Sequence, residues 1–560
     1  MKRDRRLASI FVSFLICFLV IVARLFYWQV VKADTLRGEG REQSTLTLAS
    51  IAKRGDVLFQ DKFPIATNKV SYLLYVNPKK VDSFDHYGQL LSPILGVDAA
   101  SISARLNQNL YWVSLQSRLS YDQKSQIDAL KLPAVGFEQQ TERDYPEASM
   151  AAHLIGFVGK NQDGENQGYF GLEGYYDRQL KGRPGSIYLI KDALGNPILT
   201  DVREDKKIDG RTLITSVDRS VQYIADTALS QGLKKYDAEG ATIIVMESKT
   251  GKILATSSYP KFDPEKYWEY EGKYYTSPIV SSLYEPGSTF KVLVMAAGID
   301  SGLVKPDTKC PVCAGPVELG GYKIKTWNDQ YYPNTTMTDV IQHSDNTGMV
   351  YVGQKLGIQR FTSYLKKFGI GNLTGIDIQG EVTEPIRPEK KWIPIDLATA
   401  SFGQGISVTP IELITAVNAL ANDGKVMRPM VVDKIITPEN ETITMKPQMI
   451  SQAVSPASAK VMTWVMVNAV EKGESQFAKI AGYNVAGKTG TAQIPVEGHY
   501  DPTNTNASFV GFFPAENPRI TMLVVVHKPK SSIYGAETAA PIFFAVAREL
   551  IQYYNIEPSK

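Results

Sequence analysis

At 560 residues, 43% hydrophobic and 21% charged, the chain is too long for one ordinary core and too apolar for a disordered or fibrous one. At roughly 100–200 residues per domain it should hold about two to four units. Sixty-one lysines and arginines against 58 acidic residues leave a formal net charge of +3, which gives no electrostatic ground for nucleic-acid binding.

Lys2, Arg3, Arg5 and Arg6 precede an uncharged run, LASIFVSFLICFLVIVA (7–23), that continues past Arg24 as LFYWQVV. The run is long enough to span a bilayer. Its basic flank predicts a cytoplasmic tail over 1–6 and a transmembrane signal anchor over 7–31, with Tyr27 and Trp28 at the far interface and Arg24 snorkelling to the headgroups. No small-x-small cleavage site follows directly, which disfavours a cleaved signal peptide. The rest of the chain is then expected outside the cytoplasm, on a single-pass protein of the cell membrane.

Residues 32–210 mix polar stretches, β-type runs such as SYLLYV (71–76) and turn signals such as RPG (183–185) and DG (209–210), with no dense cluster of chemistry-bearing side chains. The region 211–560 opens with TLITSVDRSVQYIADTALSQGL, where strand-like periodicity gives way to helical. GATIIVMESKTGKILATSS (240–258) reads as two strands about a Lys249-Thr250-Gly251 turn, and SFVGFFPAENPRITMLVVVHKPK (508–530) as two more about PAENPR. Mostly helical segments lie between, and PIFFAVARELIQYY (541–554) predicts a last helix with Pro541 in its tolerated first turn. Strands at both ends with helices between them predict a layered α/β domain on an antiparallel sheet.

Of three cysteines, Cys17 falls in the anchor and Cys310-Pro-Val-Cys313 lie close together. A disulfide suits an oxidising compartment. Zinc would need about four ligands, and the nearest histidine, His343, is well downstream. The simplest expectation is a free or locally bridged pair in a surface loop without catalytic role.

The densest chemistry begins at Glu285-Pro-Gly-Ser-Thr-Phe-Lys291. Ser288 and Lys291, three residues apart, share a helix face. Pro286 and Gly287 place Ser288 at a helix start, where free N–H groups and the positive end of the dipole stabilise anions. From Phe290 to Ala297 the run is apolar nearly all round except for Lys291, which predicts a buried helix and a desolvated amine able to take the Ser288 proton. The ordinary alternative is a lysine that reaches solvent from the first turn. Ser258-Tyr-Pro-Lys261 has the same spacing and is set aside, because Pro260 obstructs a helix interior.

Two more triplets raise the specificity. Ser344-Asp345-Asn346 offers a hydroxyl to relay a proton and an amide for a substrate carbonyl, although it is also an ordinary capping sequence. Lys488-Thr489-Gly490-Thr491 offers a cation and hydroxyls for a carboxylate, beside a glycine that lets backbone approach backbone. Lys249-Thr250-Gly251 duplicates part of it, but lies upstream of Ser288 in the hairpin turn. In this order the three motifs are jointly specific, and they form the trio of penicillin-binding proteins and class A β-lactamases.

With these motifs the chain strongly resembles the class B penicillin-binding proteins, the monofunctional D,D-transpeptidases of bacterial cell-wall synthesis. Arg54-Gly55-Asp56-Val57, Arg143-Asp-Tyr-Pro146 with Ala152-His153-Leu-Ile-Gly156, and Gly171-Leu172-Glu173 are similar to that family's pedestal motifs. Gly403-Gln404-Gly405 with Val408-Thr409-Pro410 resembles a segment of its catalytic half. The resemblance implies a mixed α+β pedestal of the dimerisation type over 32–210 and an α/β transpeptidase domain, serine β-lactamase-like, over 211–560.

The same resemblance implies that Ser288 is acylated by the penultimate D-Ala carbonyl of a peptidoglycan stem peptide and that an amine of a neighbouring stem resolves the acyl-enzyme. Lys291 is then the base, Ser344 and Asn346 assist, and Lys488 and Thr489 hold the carboxylate. Backbone N–H groups of Ser288 and Thr491 hold the oxyanion. Also implied are inhibition by β-lactams, no metal or organic cofactor, and partnership with a membrane-embedded glycosyltransferase and division-complex proteins. The compact pedestal favours a division or sporulation type over an elongation type. A β-lactamase is disfavoured because no Glu-x-x-Leu-Asn lies between Ser344 and Lys488, a scaffold because all three motifs are intact, and a β-lactam sensor because only about six residues, too few for a cytoplasmic signalling region, precede the anchor.

Overall fold

A computed structural model describes residues 2–107, 109–147, 149–191, 197–496 and 499–559. The N-terminal apolar run forms α1 (Lys2–Phe26), continued by a wider helical turn over Tyr27–Val31. Arg3–Val31 is long and apolar enough to cross a membrane. The Arg24 guanidinium lies over the Tyr27 and Trp28 rings, 5.8 and 5.1 Å from their centroids, a grouping suited to an interface.

The chain divides into two compact units. One holds Met1–Lys53 and Gly182–Gly210. It carries an antiparallel sheet of Thr45–Ser50, Gly185–Lys191 and Pro197–Asp205, with Gly185–Lys191 in the middle. The other unit joins Arg54–Lys181 to Arg211–Lys560.

In this second unit the part before residue 182 is mixed α+β. The strand Pro64–Val76, which contains SYLLYV, pairs antiparallel with Val135–Asp144 from Thr67↔Asp144 to Val76↔Val135. Its inward residue Leu74 joins Leu91, Ile102 and Leu115 in a small core closed by helices Phe84–Leu95 and Ala99–Leu106. Three of the pedestal-like motifs meet in one buried ionic network. Glu173, wholly buried, accepts from Arg54 Nε at 2.7 Å and Arg143 Nε at 2.6 Å, and Arg54 also reaches Asp177 at 2.8 Å. Burial by itself would push the Glu173 carboxyl up; the Arg143 and Arg54 guanidiniums outweigh it and hold the group below its ordinary range.

The same segment binds the C-terminal half of the unit. Phe170 N–H donates to Gln379 Oε1 at 2.7 Å, and the Tyr176 hydroxyl donates to Asp377 at 2.9 Å. Asp377 also accepts the N–H groups of Val431 and Val432 at 2.6 and 2.8 Å.

In the C-terminal half the first helix is α2 (Arg219–Lys235), whose N-cap Asp218 accepts from Ser220 and Val221 N–H. Next come β1 (Ala238–Glu247), β2 (Ile253–Tyr259), α3 (Lys291–Asp300), α4 (Asn346–Lys367), α5 (Pro410–Ala421) and α6 (Pro456–Lys472). They are followed by β3 (Ala486–Val496), β4 (His499–Phe513), β5 (Ile520–Pro529) and α7 (Ala539–Tyr553). The sheet order is β2-β1-β5-β4-β3, with every neighbouring pair antiparallel. Because successive side chains on a strand point to opposite faces, Ile243, Val245, Val524 and Val526 join one core with α2 and α7. Ile244, Met246, Leu523 and Val525 join the other with α3 and α5. Both faces of the sheet are therefore covered, as the doubly apolar strands require.

Pro541 stands in the first turn of α7. Cys310 and Cys313 form the local bridge of the sequence expectation; their loop is exposed at Lys309, Pro311 and Ala314, while the two cysteines themselves turn inward and are almost wholly buried. The pair packs under the start of α4, where a Cβ added at Gly348 would lie 3.1 Å from Cys313 Sγ.

Candidate active site

Ser288 lies in a 3₁₀ turn, Gly287–Phe290, that runs directly into α3. The turn rests on backbone. Gly287 N–H donates to the Gly403 carbonyl at 3.0 Å, and a Cβ at Gly403, where φ is +82°, would lie 2.1 Å from the Gly287 oxygen. No other residue fits there, which gives the Gly403-Gln404-Gly405 segment its physical meaning. Gly405 N–H in turn donates to Glu285 at 2.9 Å.

From Lys291 to Gly298 every residue of α3 is buried, and Lys291 itself is 0% exposed. The solvent-reaching alternative is thereby excluded. Lys291 Nζ donates to the Ser344 carbonyl at 2.6 Å, to Ser344 Oγ at 3.3 Å and to Asn346 Oδ1 at 2.7 Å. Three acceptors match the three protons of an ammonium. Burial first, and the nearby Lys488 cation second, bring this amine down to about 7, against the pull of Asp345 and Glu474. A neutral amine keeps two donors and gains a lone pair, so deprotonation releases one of these contacts and frees the nitrogen to face Ser288, one turn earlier on the same helix.

Ser344 adopts a left-handed backbone, φ +55°, that presents both its carbonyl and its hydroxyl to Lys291. Asp345 caps α4, its Oδ1 accepting the N–H groups of Thr347 at 2.7 Å and Gly348 at 3.2 Å. Ser344-Asp345-Asn346 is therefore a helix cap and a lysine cage at once. Asn346 Nδ2 donates to the Lys325 carbonyl at 2.9 Å, which leaves the second amide proton for another acceptor.

Lys488-Thr489-Gly490-Thr491 lies on β3, the edge strand of the sheet. The strand runs hard against the Ser288 turn: a Cβ at Gly490 would lie 2.8 Å from Thr289 Cγ2 and 3.2 Å from the Pro286 carbonyl oxygen. Lys488 is buried, and burial lowers its amine from the ordinary range. Its Nζ donates to Thr489 Oγ1 at 2.9 Å, and the Thr489 hydroxyl donates to Glu474 at 2.6 Å. Thr491 Oγ1 accepts from Gly535 N–H at 3.0 Å.

Ser288, Lys291, Ser344 and Asn346 thus gather at the start of α3, with Lys488 to Thr491 on the strand beside it. Lys249-Thr250-Gly251 is the turn between β1 and β2, with Gly251 at φ +78°, and Lys261 pairs with Asp226 behind a Pro260 that is not helical. Glu474 is the site residue that sequence reasoning missed. It stands in a loop without periodicity, and only its contact with Thr489 reveals it. Among the described residues, no group of three or more His, Cys, Asp or Glu could hold a metal.

Residues 241–548 match the penicillin-binding protein transpeptidase domain and residues 49–215 the penicillin-binding protein dimerisation domain. The chain is 33% identical to stage V sporulation protein D of Bacillus subtilis, over 99% of this chain and 87% of that protein. It is 27% identical to the peptidoglycan D,D-transpeptidase FtsI of Escherichia coli, over 96% of this chain and 90% of that protein. The crystal structure of penicillin-binding protein 3 from Mycobacterium tuberculosis in complex with aztreonam superposes with a TM-score of 0.71 at 25% identity, covering 92% of this chain and 98% of that one.

Proposed function

We propose, for a chain that belongs to the class B penicillin-binding protein transpeptidases of the division and sporulation type, peptidoglycan D,D-transpeptidation through an acyl-enzyme on Ser288. The observation that carries the reading is the caged amine: Lys291 Nζ, wholly buried, within hydrogen-bond distance of Ser344 and Asn346 and one turn from Ser288.

The Ser288 hydroxyl attacks the penultimate D-alanine carbonyl of a stem peptide while its proton passes to the neutral Lys291 amine. The C–N bond breaks, and the departing D-alanine nitrogen takes a proton from Lys291 by way of the Ser344 hydroxyl. An amine of a neighbouring stem then attacks the ester and gives its proton to Lys291, which returns it to the Ser288 oxygen. Lys488 and Thr489 hold the terminal carboxylate of the donor. Asn346 offers its remaining N–H to a substrate carbonyl, and the N–H groups of Ser288 and Thr491 receive the oxyanion. β-Lactams acylate the same serine, their ring amide standing in for the D-alanyl-D-alanine bond.

The apolar helix Arg3–Val31 supports placement in the cell membrane, with a pedestal over 32–210 and a transpeptidase domain over 211–560 outside the cytoplasm. A membrane-embedded glycosyltransferase and other division-complex proteins are the partners this placement fits.

The test is fluorescent-penicillin labelling of the full chain in detergent, mapped by mass spectrometry, beside Ser288→Ala. Stable acylation at Ser288 that disappears in the variant is expected. Rapid turnover would point to a β-lactamase, and no labelling of folded protein would remove the catalytic reading.

The base also sets a pH dependence. Lys291 acts only when neutral, so with its pKa at about 7 the acylation rate should climb with pH by about tenfold per unit below that midpoint and level off above it. Labelling rates measured across the midpoint read this directly, and a flat profile would contradict the role given to Lys291.

A further inference from the structure

We propose that Glu474 occupies, in the free protein, the seat of the substrate's terminal carboxylate and is displaced from it on binding. The inference rests on the assignment of that carboxylate to Lys488 and Thr489.

Glu474 lies in the loop after α6, held close to the site by its neighbours. A Cβ at Gly473 would lie 2.8 Å from the Gln342 carbonyl, two residues before Ser344, and Ser475 is buried. From there Glu474 Oε2 accepts the Thr489 hydroxyl proton at 2.6 Å, while Thr489 Oγ1 accepts from Lys488 Nζ at 2.9 Å. The hydroxyl that would grip a carboxylate therefore already holds one, with the Lys488 cation bonded to that same hydroxyl.

A hydroxyl has one proton, so Thr489 cannot donate to Glu474 and to a ligand together. A second carboxylate brought to that oxygen would also stand beside the first, in a site where burial of both lysines leaves little water to screen the repulsion. Glu474 must swing aside as the ligand arrives. Its place in a loop, preceded by a glycine, allows this, whereas a residue on α6 or β3 would be fixed.

The exchange has a chemical consequence. The charge of Glu474 favours the protonated form of both Lys291 and Lys488. Replacing it with a substrate carboxylate keeps the net charge beside the lysines unchanged, whereas a neutral ligand changes it. Glu474 is thus a specificity-determining residue: while it holds Thr489 it opposes a ligand carboxylate by like charge and leaves a neutral ligand unopposed.

The experiment compares the full-length protein in detergent with Glu474→Gln and Glu474→Ala. It measures the second-order rate of Ser288 acylation by benzylpenicillin and by benzylpenicillin methyl ester. The repulsion acts on the acid alone, so the acid-to-ester rate ratio should rise by about tenfold in both variants. If Glu474 merely positions Thr489, Gln, which still accepts the hydroxyl proton, should match the wild type and Ala should be slower with the acid. An unchanged or lowered ratio in the two variants overturns the inference while leaving the Ser288 chemistry intact. A wild-type protein that neither compound acylates overturns the transpeptidase reading, and this inference with it.

Discussion

Lys291→Met should slow the acylation of Ser288 by about 10²- to 10⁴-fold, the range set by loss of a positioned general base. Methionine has nearly the length of the lysine stem and is apolar, so it suits a position on α3 where every neighbour from Val292 to Gly298 is buried. The substitution removes a buried amine whose desolvation opposes folding, but leaves the Ser344 carbonyl without its lysine donor at 2.6 Å. These effects oppose each other, so the thermal midpoint should shift little while the rate collapses. Rapid-quench labelling with a fluorescent penicillin reads the rate, and a variant within tenfold of the wild type would show that another group takes the proton. Lys291→Arg should not rescue the activity, because a guanidinium stays protonated and is too broad for the cage around Nζ.

The second large effect concerns stability. Glu173→Ala should destabilise the unit that contains it by about 3–5 kcal/mol, the range for removing one partner of a buried ion pair. The alanine would leave two guanidiniums in the interior, one of them, Arg143, already with a buried Nη2 that has no hydrogen-bond partner. Arg54 would keep Asp177, so Arg143 carries most of the cost. A lowered midpoint in urea, followed by tryptophan fluorescence, is the expected reading. Labelling of Ser288 per folded molecule should be nearly unchanged. Glu173→Gln should fall between the two proteins, keeping a hydrogen-bond acceptor but not the charge.

What could be read in advance follows from where the signal resides. The sheet was legible because the short apolar, β-branched runs in GATIIVMESKTGKILATSS and SFVGFFPAENPRITMLVVVHKPK are local and the turns carry their own residues. The burial of Lys291 was legible for a similar reason, since a helix apolar all round has no face to give to solvent. The two readings of Ser344-Asp345-Asn346 proved compatible, because the capping carboxylate belongs to Asp345 and the lysine contacts to its neighbours.

Other features needed the folded chain. Glu474 reaches Thr489, Gly403 backs Gly287, and Asp377 receives Tyr176, each across a stretch of sequence that leaves no periodic trace. The spacing of Cys310 and Cys313 permitted a bridge, but their burial depended on packing against α4, which spacing does not encode.

Ser344 illustrates a different kind of constraint. Its left-handed backbone disfavours any residue with a Cβ by roughly 1–2 kcal/mol, and glycine would adopt the same turn without that cost while still offering its carbonyl to Lys291. A chain optimised for stability alone would therefore carry glycine at 344. Serine there keeps the hydroxyl that the proposed proton relay uses, so this position marks a trade of conformational ease for reactivity.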